Sequence, residues 1–365
     1  METIRDAGPK LKSFFYHTCK PSDPSLIRGS VVVLHGAEGH GGRYEPFGEE
    51  LVKQGYAMFA IDHIGHGKTI LDDEDNLGRW EDKDFYYSAY TVYYLVDEIK
   101  KMYPGKPVYL LGHDYGGTMA QYMIGKFENI FDGVIVSSCG MPSFRDRVML
   151  LKCWIKKVLF YDATKSKGTF KSRTRFLNMH YRPTRTKYDW LNSDPNEVDR
   201  FIADPSAGFV GTVGYYYYQY KYINSVPNIL RLRKANRNIP ILLLGGREDY
   251  ITHRGKLIEK LEKYYIRKGF KNINTILYER SRHDVLLEWN KEEVAADIAG
   301  WINKNSYVEE EKIETPLRND IIEVKAYTLS EMKPEVVQDR KIDARFVEEE
   351  PEDELRLSTK IKKDN

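Results

Sequence analysis

Cysteine is scarce. Three residues, Cys19, Cys139 and Cys153, stand in a chain of 365, and neither their number nor their spacing makes the paired framework of a disulfide-stapled fold. A reducing setting follows, with the cytoplasm as the expected location. Also missing is any uninterrupted apolar run long enough to cross a bilayer, and the opening METIRDAGPKLKSFF lacks the apolar core of a signal peptide. Neither sign of charge dominates: 56 Lys and Arg face 54 Asp and Glu, so no global field draws the chain to nucleic acid. What remains is enough sequence to bury one large α/β core with additions.

That core has a regular grammar. SVVVL (Ser30 to Leu34), Ala57 to Ile61, Val108 to Leu111, GVIVS (Gly133 to Ser137), Ile239 to Leu244 and Asn272 to Tyr278 are short apolar runs of the kind buried parallel strands show. Between them, Glu45 to Gln54, Asp84 to Tyr103, Arg254 to Lys268 and Lys291 to Lys304 carry helical periodicity, the first closed by Gly55. Lys10 to Thr18 alternates as an edge strand does. The alternation predicts an α/β fold with a doubly wound, mostly parallel sheet whose site lies at the carboxyl ends of the strands. From residue 140 to 238 strand signals stop and Tyr, Lys and Arg accumulate, which predicts an inserted helical cap. Residues 1–139 and 239–304 then form the catalytic domain. Residues 305–365, acidic in clusters and basic at the end, read as a charged tail, flexible or folded into a small strand module.

The decisive stretch is PVYLLGHDYGGTMAQY, Pro107 to Tyr122. A buried strand, glycines at 112, 116 and 117, and a following helix have the spacing of a nucleophile elbow, whose central residue is held strained and exposed. That residue is Asp114. Downstream, Asp249 ends one strand in GGREDY and His283 ends the next in ERSRHDVLLE, the chain order nucleophile, acid, histidine. Asp249 would orient the imidazole and stabilise its charged form. Upstream, the glycines of HGAEGH let a main-chain donor face the elbow, so the N–H groups of Ala37 and Tyr115 are candidates for an oxyanion hole.

These residues bring out a resemblance. HGAEGHGGRY, FAIDHIGHGKT, DWLNSDPNEVDRFIADPSAGF and YERSRHDVLLEWNKEEVAADIAGWI, spread over residues 10–304, are similar to the α/β-hydrolase family, in its monoacylglycerol lipase and lysophospholipase-like, or serine aminopeptidase S33-like, branch. The resemblance implies an α/β-hydrolase fold and a serine enzyme cleaving lipid acyl esters. The chain departs from that pattern at the serine itself, where Asp114 stands. A carboxylate attacking an acyl ester forms a mixed anhydride and must expel a poor alkoxide. Attack on an sp3 carbon instead gives an alkyl ester on Asp114 that water, activated by His283, can hydrolyse. The string GHDYGG is likewise similar to the GHDWGG elbow of epoxide hydrolases, and the tyrosines of GYYYYQYKY, Tyr215 to Tyr218 above all, are candidate acids for the opening oxygen, or simply packing.

Other residues have plainer readings. His35, His40, His63 and His66 lack the spacing of a metal set and read as loop braces; Asp62 reads as the brace of HIGHG, Glu288 as a brace of the histidine loop, and Arg282 as a surface residue. No cofactor or metal is required. In the cap, Arg145 to Lys187 is basic, opposed only by Asp146 and Asp162, and VMLLKCWIKKVLFY sets apolar bulk between cations. It suits either a membrane-surface helix or a solvated cover. The expectation is a hydrolase for an apolar or lipid-like substrate; the alternatives are a relative inactivated at the nucleophile that binds lipid or a partner, and a residue placed to silence a serine enzyme.

Overall fold

A computed structural model describes residues 1–306 apart from 7–12, 71–73, 227–231 and 233. The charged tail read over 305–365 therefore lies outside the described residues except for its first two, which belong to the last helix.

Six β-branched or apolar segments form the parallel part of one sheet: β3 (Gly29–Leu34), β4 (Tyr56–Ile61), β5 (Val108–His113), β6 (Gly133–Ser137), β7 (Ile241–Gly246) and β8 (Ile273–Tyr278). Two antiparallel strands, β1 (Glu2–Asp6) and β2 (Phe14–Cys19), extend it, giving the order β1-β2-β4-β3-β5-β6-β7-β8. β1 carries ETIRD, mostly exposed; too polar to announce itself, it makes the edge and moves β2, expected at the edge, one place inward.

Because successive side chains alternate across a strand, each apolar run feeds two cores. Val32, Leu34, Leu110 and Leu243 join one cluster with residues of α2 (Asp84–Met102), α3 (Tyr115–Lys126) and α8 (Lys256–Arg267). Val31, Val33, Leu111 and Leu242 join the other with α1 (Glu45–Lys53) and α9 (Lys291–Ser306). Helices thus cover both faces, the doubly wound arrangement.

Between β6 and β7 the chain builds α4 (Phe144–Leu159), α5 (Lys167–Leu177), α6 (Pro195–Ala203) and α7 (Val213–Ser225). This inserted segment has a small core of its own around Leu177, Trp190, Leu191 and Phe201. It is not loosely attached, because the tyrosines of α7 enter the main core: Tyr222 stacks on Phe85 with centroids 4.0 Å apart, a contact worth about 1 kcal/mol beyond its burial.

Candidate active site

The turn from β5 into α3 explains the glycines of the central motif. A Cβ on Gly112 would lie 2.2 Å from the Gly116 carbonyl oxygen, and one on Gly116 would lie 2.1 Å from that of Leu34. Only bare backbones pass so closely. Asp114 between them sits at φ 49°, ψ −113°, a conformation that an L-residue keeps only when its surroundings enforce it. Its N–H donates to Ser137 O (2.9 Å).

That strained turn aims the carboxylate. Ala37 N–H donates to Asp114 Oδ2 (2.9 Å), while Oδ1 lies 3.7 Å from His283 Nε2. The opposite ring nitrogen, Nδ1, donates to Asp249 Oδ2 (3.1 Å). Asp249 is fully buried and also accepts from Ile251 N–H (2.8 Å) and Thr252 Oγ1 (2.9 Å). The structure thus brings Asp114, Ala37, His283 and Asp249 into one line. Tyr115 N–H makes no hydrogen bond to the carboxylate. The Tyr115 ring packs against Trp80 (4.7 Å), and its buried hydroxyl has no hydrogen-bond partner among the described residues.

Charge in this line is unusual. Burial works against a charged imidazole, but the Asp249 carboxylate, backed by Asp114 and Asp284, outweighs it and lifts the His283 pKa to about 9. The two acidic side chains on either side of the ring thus favour its charged form.

The histidine loop is held by Glu288, read from the sequence as its brace, and by Ser138, Arg43 and His113, which sequence reading passed over. Ser138 Oγ donates to His283 O (2.5 Å). Asp284 receives Arg43 Nη2 (2.8 Å) and pairs with His113 Nε2 (3.0 Å). Despite burial, these two partners keep the Asp284 carboxyl far below the usual range. Glu288, fully buried, accepts from Arg282 N–H (2.8 Å) and Ser193 N–H (2.9 Å), which ties the loop to the inserted segment. Arg282 is not a surface residue. Its guanidinium donates to Asp189 O (2.5 Å) and Asn192 O (3.1 Å) and lies over Tyr181. Asp284 and Arg282 flank His283 in sequence, so they were open to suspicion, but their partners were not.

The loop that carries Ala37 is gripped from the other side. Glu38, buried at φ 58°, pairs with Arg173 of α5 (2.5 Å), donates its N–H to Tyr215 OH (3.1 Å) and accepts Gly208 N–H at its carbonyl (2.8 Å). Burial raises the Glu38 pKa, with Arg173 pulling the other way. Of the tyrosines proposed as acids, three have hydrogen-bonded hydroxyls, and Tyr217 packs its ring on Tyr218 (5.1 Å). Tyr215 OH also meets His66 Nε2 (3.3 Å), Tyr216 OH lies on Gly211 N–H and Glu38, and Tyr218 OH is shared between Lys157 and Asp162. None is hydrogen bonded to Asp114.

The histidines divide into two groups. His35, His63 and His66 pack together with tilted rings, His35 and His63 at 4.2 Å. Burial holds all three neutral, His63 at about 3 and His66 at about 4. His40 stands apart with His17 and Asp62, whose ligand atoms lie within 4.8 Å of one another. Those atoms already have partners. Asp62 accepts from Gly41 N–H (2.7 Å), Lys68 N–H (2.8 Å) and His17 (3.1 Å), and His40 pairs with Asp204 (2.6 Å). Such a cluster is a hydrogen-bonded brace, with Asp62 holding both glycine-rich loops.

Residues 26–290 match the model of the serine aminopeptidase S33 family. The chain belongs to that family. Among its relatives, the human monoglyceride lipase is 32% identical over 166 residues, 45% of this chain and 51% of that protein, so this match spans about half the human enzyme. The monoglyceride lipase homolog of monkeypox virus is 28% identical over 295 residues, 79% of this chain and 94% of its own. Two solved structures share the α/β-hydrolase fold. A Bacillus coagulans carboxyl esterase has TM-score 0.75 and 22% identity over 84% of this chain and 99% of that one; a soluble variant of the Saccharomyces cerevisiae monoglyceride lipase has TM-score 0.64 and 17% identity over 83% and 94%. The family match and these relatives together support the monoglyceride lipase-like branch of the α/β-hydrolases.

Proposed function

We propose that the protein is a hydrolase for an apolar, lipid-like substrate and that Asp114 attacks an alkyl carbon. One observation carries the reading: Asp114 Oδ2 already occupies the Ala37 N–H donor, leaving Oδ1 free beside His283. A serine enzyme keeps that donor for the substrate's carbonyl. Here it serves the carboxylate's own oxygen, which suits an ester formed on Asp114.

Two balanced steps follow. Oδ1 bonds to an sp3 carbon, such as one carbon of a fatty epoxide. The carbon–oxygen bond breaks with its electron pair on the leaving oxygen, and the imidazolium of His283 supplies the proton. Esterification removes one of the two negative charges beside that ring and leaves a neutral imidazole, the form a general base needs. Water, losing a proton to His283, adds to the Asp114 carbonyl carbon while Ala37 N–H holds the oxyanion. Collapse releases a diol and restores carboxylate and imidazolium. With the hydroxyls of Tyr215, Tyr216 and Tyr218 hydrogen bonded elsewhere, His283 takes the acid's role.

The experiment is turnover of styrene oxide and fatty epoxides in heavy-oxygen water over many cycles, followed by mass spectrometry of the Asp114 peptide. Label in that carboxylate is expected, and turnover without it refutes the covalent step. Fatty-acid binding with no turnover, together with ester hydrolysis gained in Asp114→Ser, would establish instead a relative inactivated at its nucleophile.

The inserted segment supports a membrane-surface reading as well. Phe144, Leu151, Trp154, Ile155, Val158 and Leu159 form one exposed stripe of α4, the reverse of the inward apolar face of an ordinary surface helix. We take this stripe to rest on a lipid surface. No helix among the described residues is long and apolar enough to cross a membrane. The three free thiols suit a cytoplasmic location.

A further inference from the structure

The outer face of α5 is built against its own interest. Lys167, Lys171 and Arg175 recur every four residues, so like charges sit one above another, and the helix has no acid in its first turn to meet its dipole. Thr169 and Arg173 are buried on the opposite side. Around the exposed face lies an open depression of about 490 Å³ lined by Lys171, Arg175 and Arg182 with Phe176 and Met179. None of the three cations has an anionic partner among the described residues, and no acid lines the depression. Their neighbours are not so placed: Arg173 pairs with Glu38, Lys157 with Asp162 and Arg185 with Asp199.

We propose that Lys171, Arg175 and Arg182 form a headgroup site for anionic phospholipid. It rests on the membrane-surface reading of α4 and adds to it a preference for one class of lipid. The position of the depression selects a lipid over a soluble anion. Arg145, on the first turn of α4, lies over the Phe176 ring at 3.9 Å, and Lys156 of α4 donates to Thr169 of α5 (2.6 Å). The cationic face is therefore sewn to the helix that bears the apolar stripe, so a bilayer can present acyl chains to one and phosphates to the other. Guanidinium groups take a phosphate through two parallel hydrogen bonds, and the Phe176 and Met179 side chains suit the glycerol and first methylenes beneath it.

The test uses the full chain with phosphatidylcholine vesicles, with and without phosphatidylglycerol. Phosphatidylglycerol should raise the partition coefficient about ten- to hundredfold, and the increment should disappear in the triple variant Lys171→Gln, Arg175→Gln, Arg182→Gln and at high salt. That variant should keep the wild-type binding to phosphatidylcholine alone. Equal binding to both vesicles, or a triple variant that keeps the increment, overturns the headgroup site and leaves the membrane reading standing. Absence of binding to either vesicle overturns both. Equally tight binding of short DNA, lost in the same variant, would show an unselective polyanion patch and also overturn the site.

Discussion

Asp249, hydrogen bonded to the ring, and Asp114, 3.7 Å from it, both favour the charged form of His283. Because the folded pKa of His283, about 9, is above its ordinary value, the protonated pair stabilises the fold fully below about pH 6.5. That contribution, on the order of a few kcal/mol, is lost as pH rises through 9. Thermal melting should therefore show a falling midpoint over this window. In Asp114→Asn one carboxylate is gone, and imidazole NMR should report a His283 pKa below that of the native chain while Asp249 keeps it above the free value. An unchanged pKa would mean that Asp114 does not sense the ring and would remove the basis for the acid-then-base role. Sequence showed that Asp114, Asp249 and His283 end three strands in the right order, since each follows a local apolar run. It could not show the raised imidazole pKa, which depends on two carboxyl groups reaching the ring together and outweighing the effect of burial.

At the scale of the element, the elbow and the helices make opposite demands on glycine. Gly116→Ala would drive a Cβ to 2.1 Å from a backbone carbonyl of β3, where no flexible side chain can yield. The variant should lose about 3 kcal/mol or more in denaturant titration. Gly300→Ala, in the exposed interior of α9 with nothing within 4 Å of its Cβ, should gain about 0.5–1 kcal/mol in the same assay. If both variants melted alike, close backbone approach would not be what the elbow glycines provide. The elements themselves were largely legible, β6 to the residue, because apolar period and glycine stops are properties of short segments. The polar β1 was not, because its strand state comes from pairing with β2 rather than from its own residues.

Across the whole molecule, the inserted segment grips both loops of the site. One of these links, Glu38 to Arg173, joins residues 135 apart in the chain and is buried at both ends. Arg173→Met should cost about 3–5 kcal/mol because it strands a buried carboxylate, and adding Glu38→Gln should recover much of the loss. A double variant as unstable as the single one would show that the pair acts through packing instead of charge.

Local patterns in the sequence determined the fold class, the strand and helix order and the place of a carboxylate at the elbow, since each is written in a few neighbouring residues. Only the tertiary structure decided that Ala37 N–H is taken by Asp114 itself, that Tyr215, Tyr216 and Tyr218 are bound to Glu38 and Asp162, and that Arg173, Asp284 and Ser138 hold the site. Those contacts join residues far apart in the chain, and their charge states exist only where the folded protein has removed the water between them.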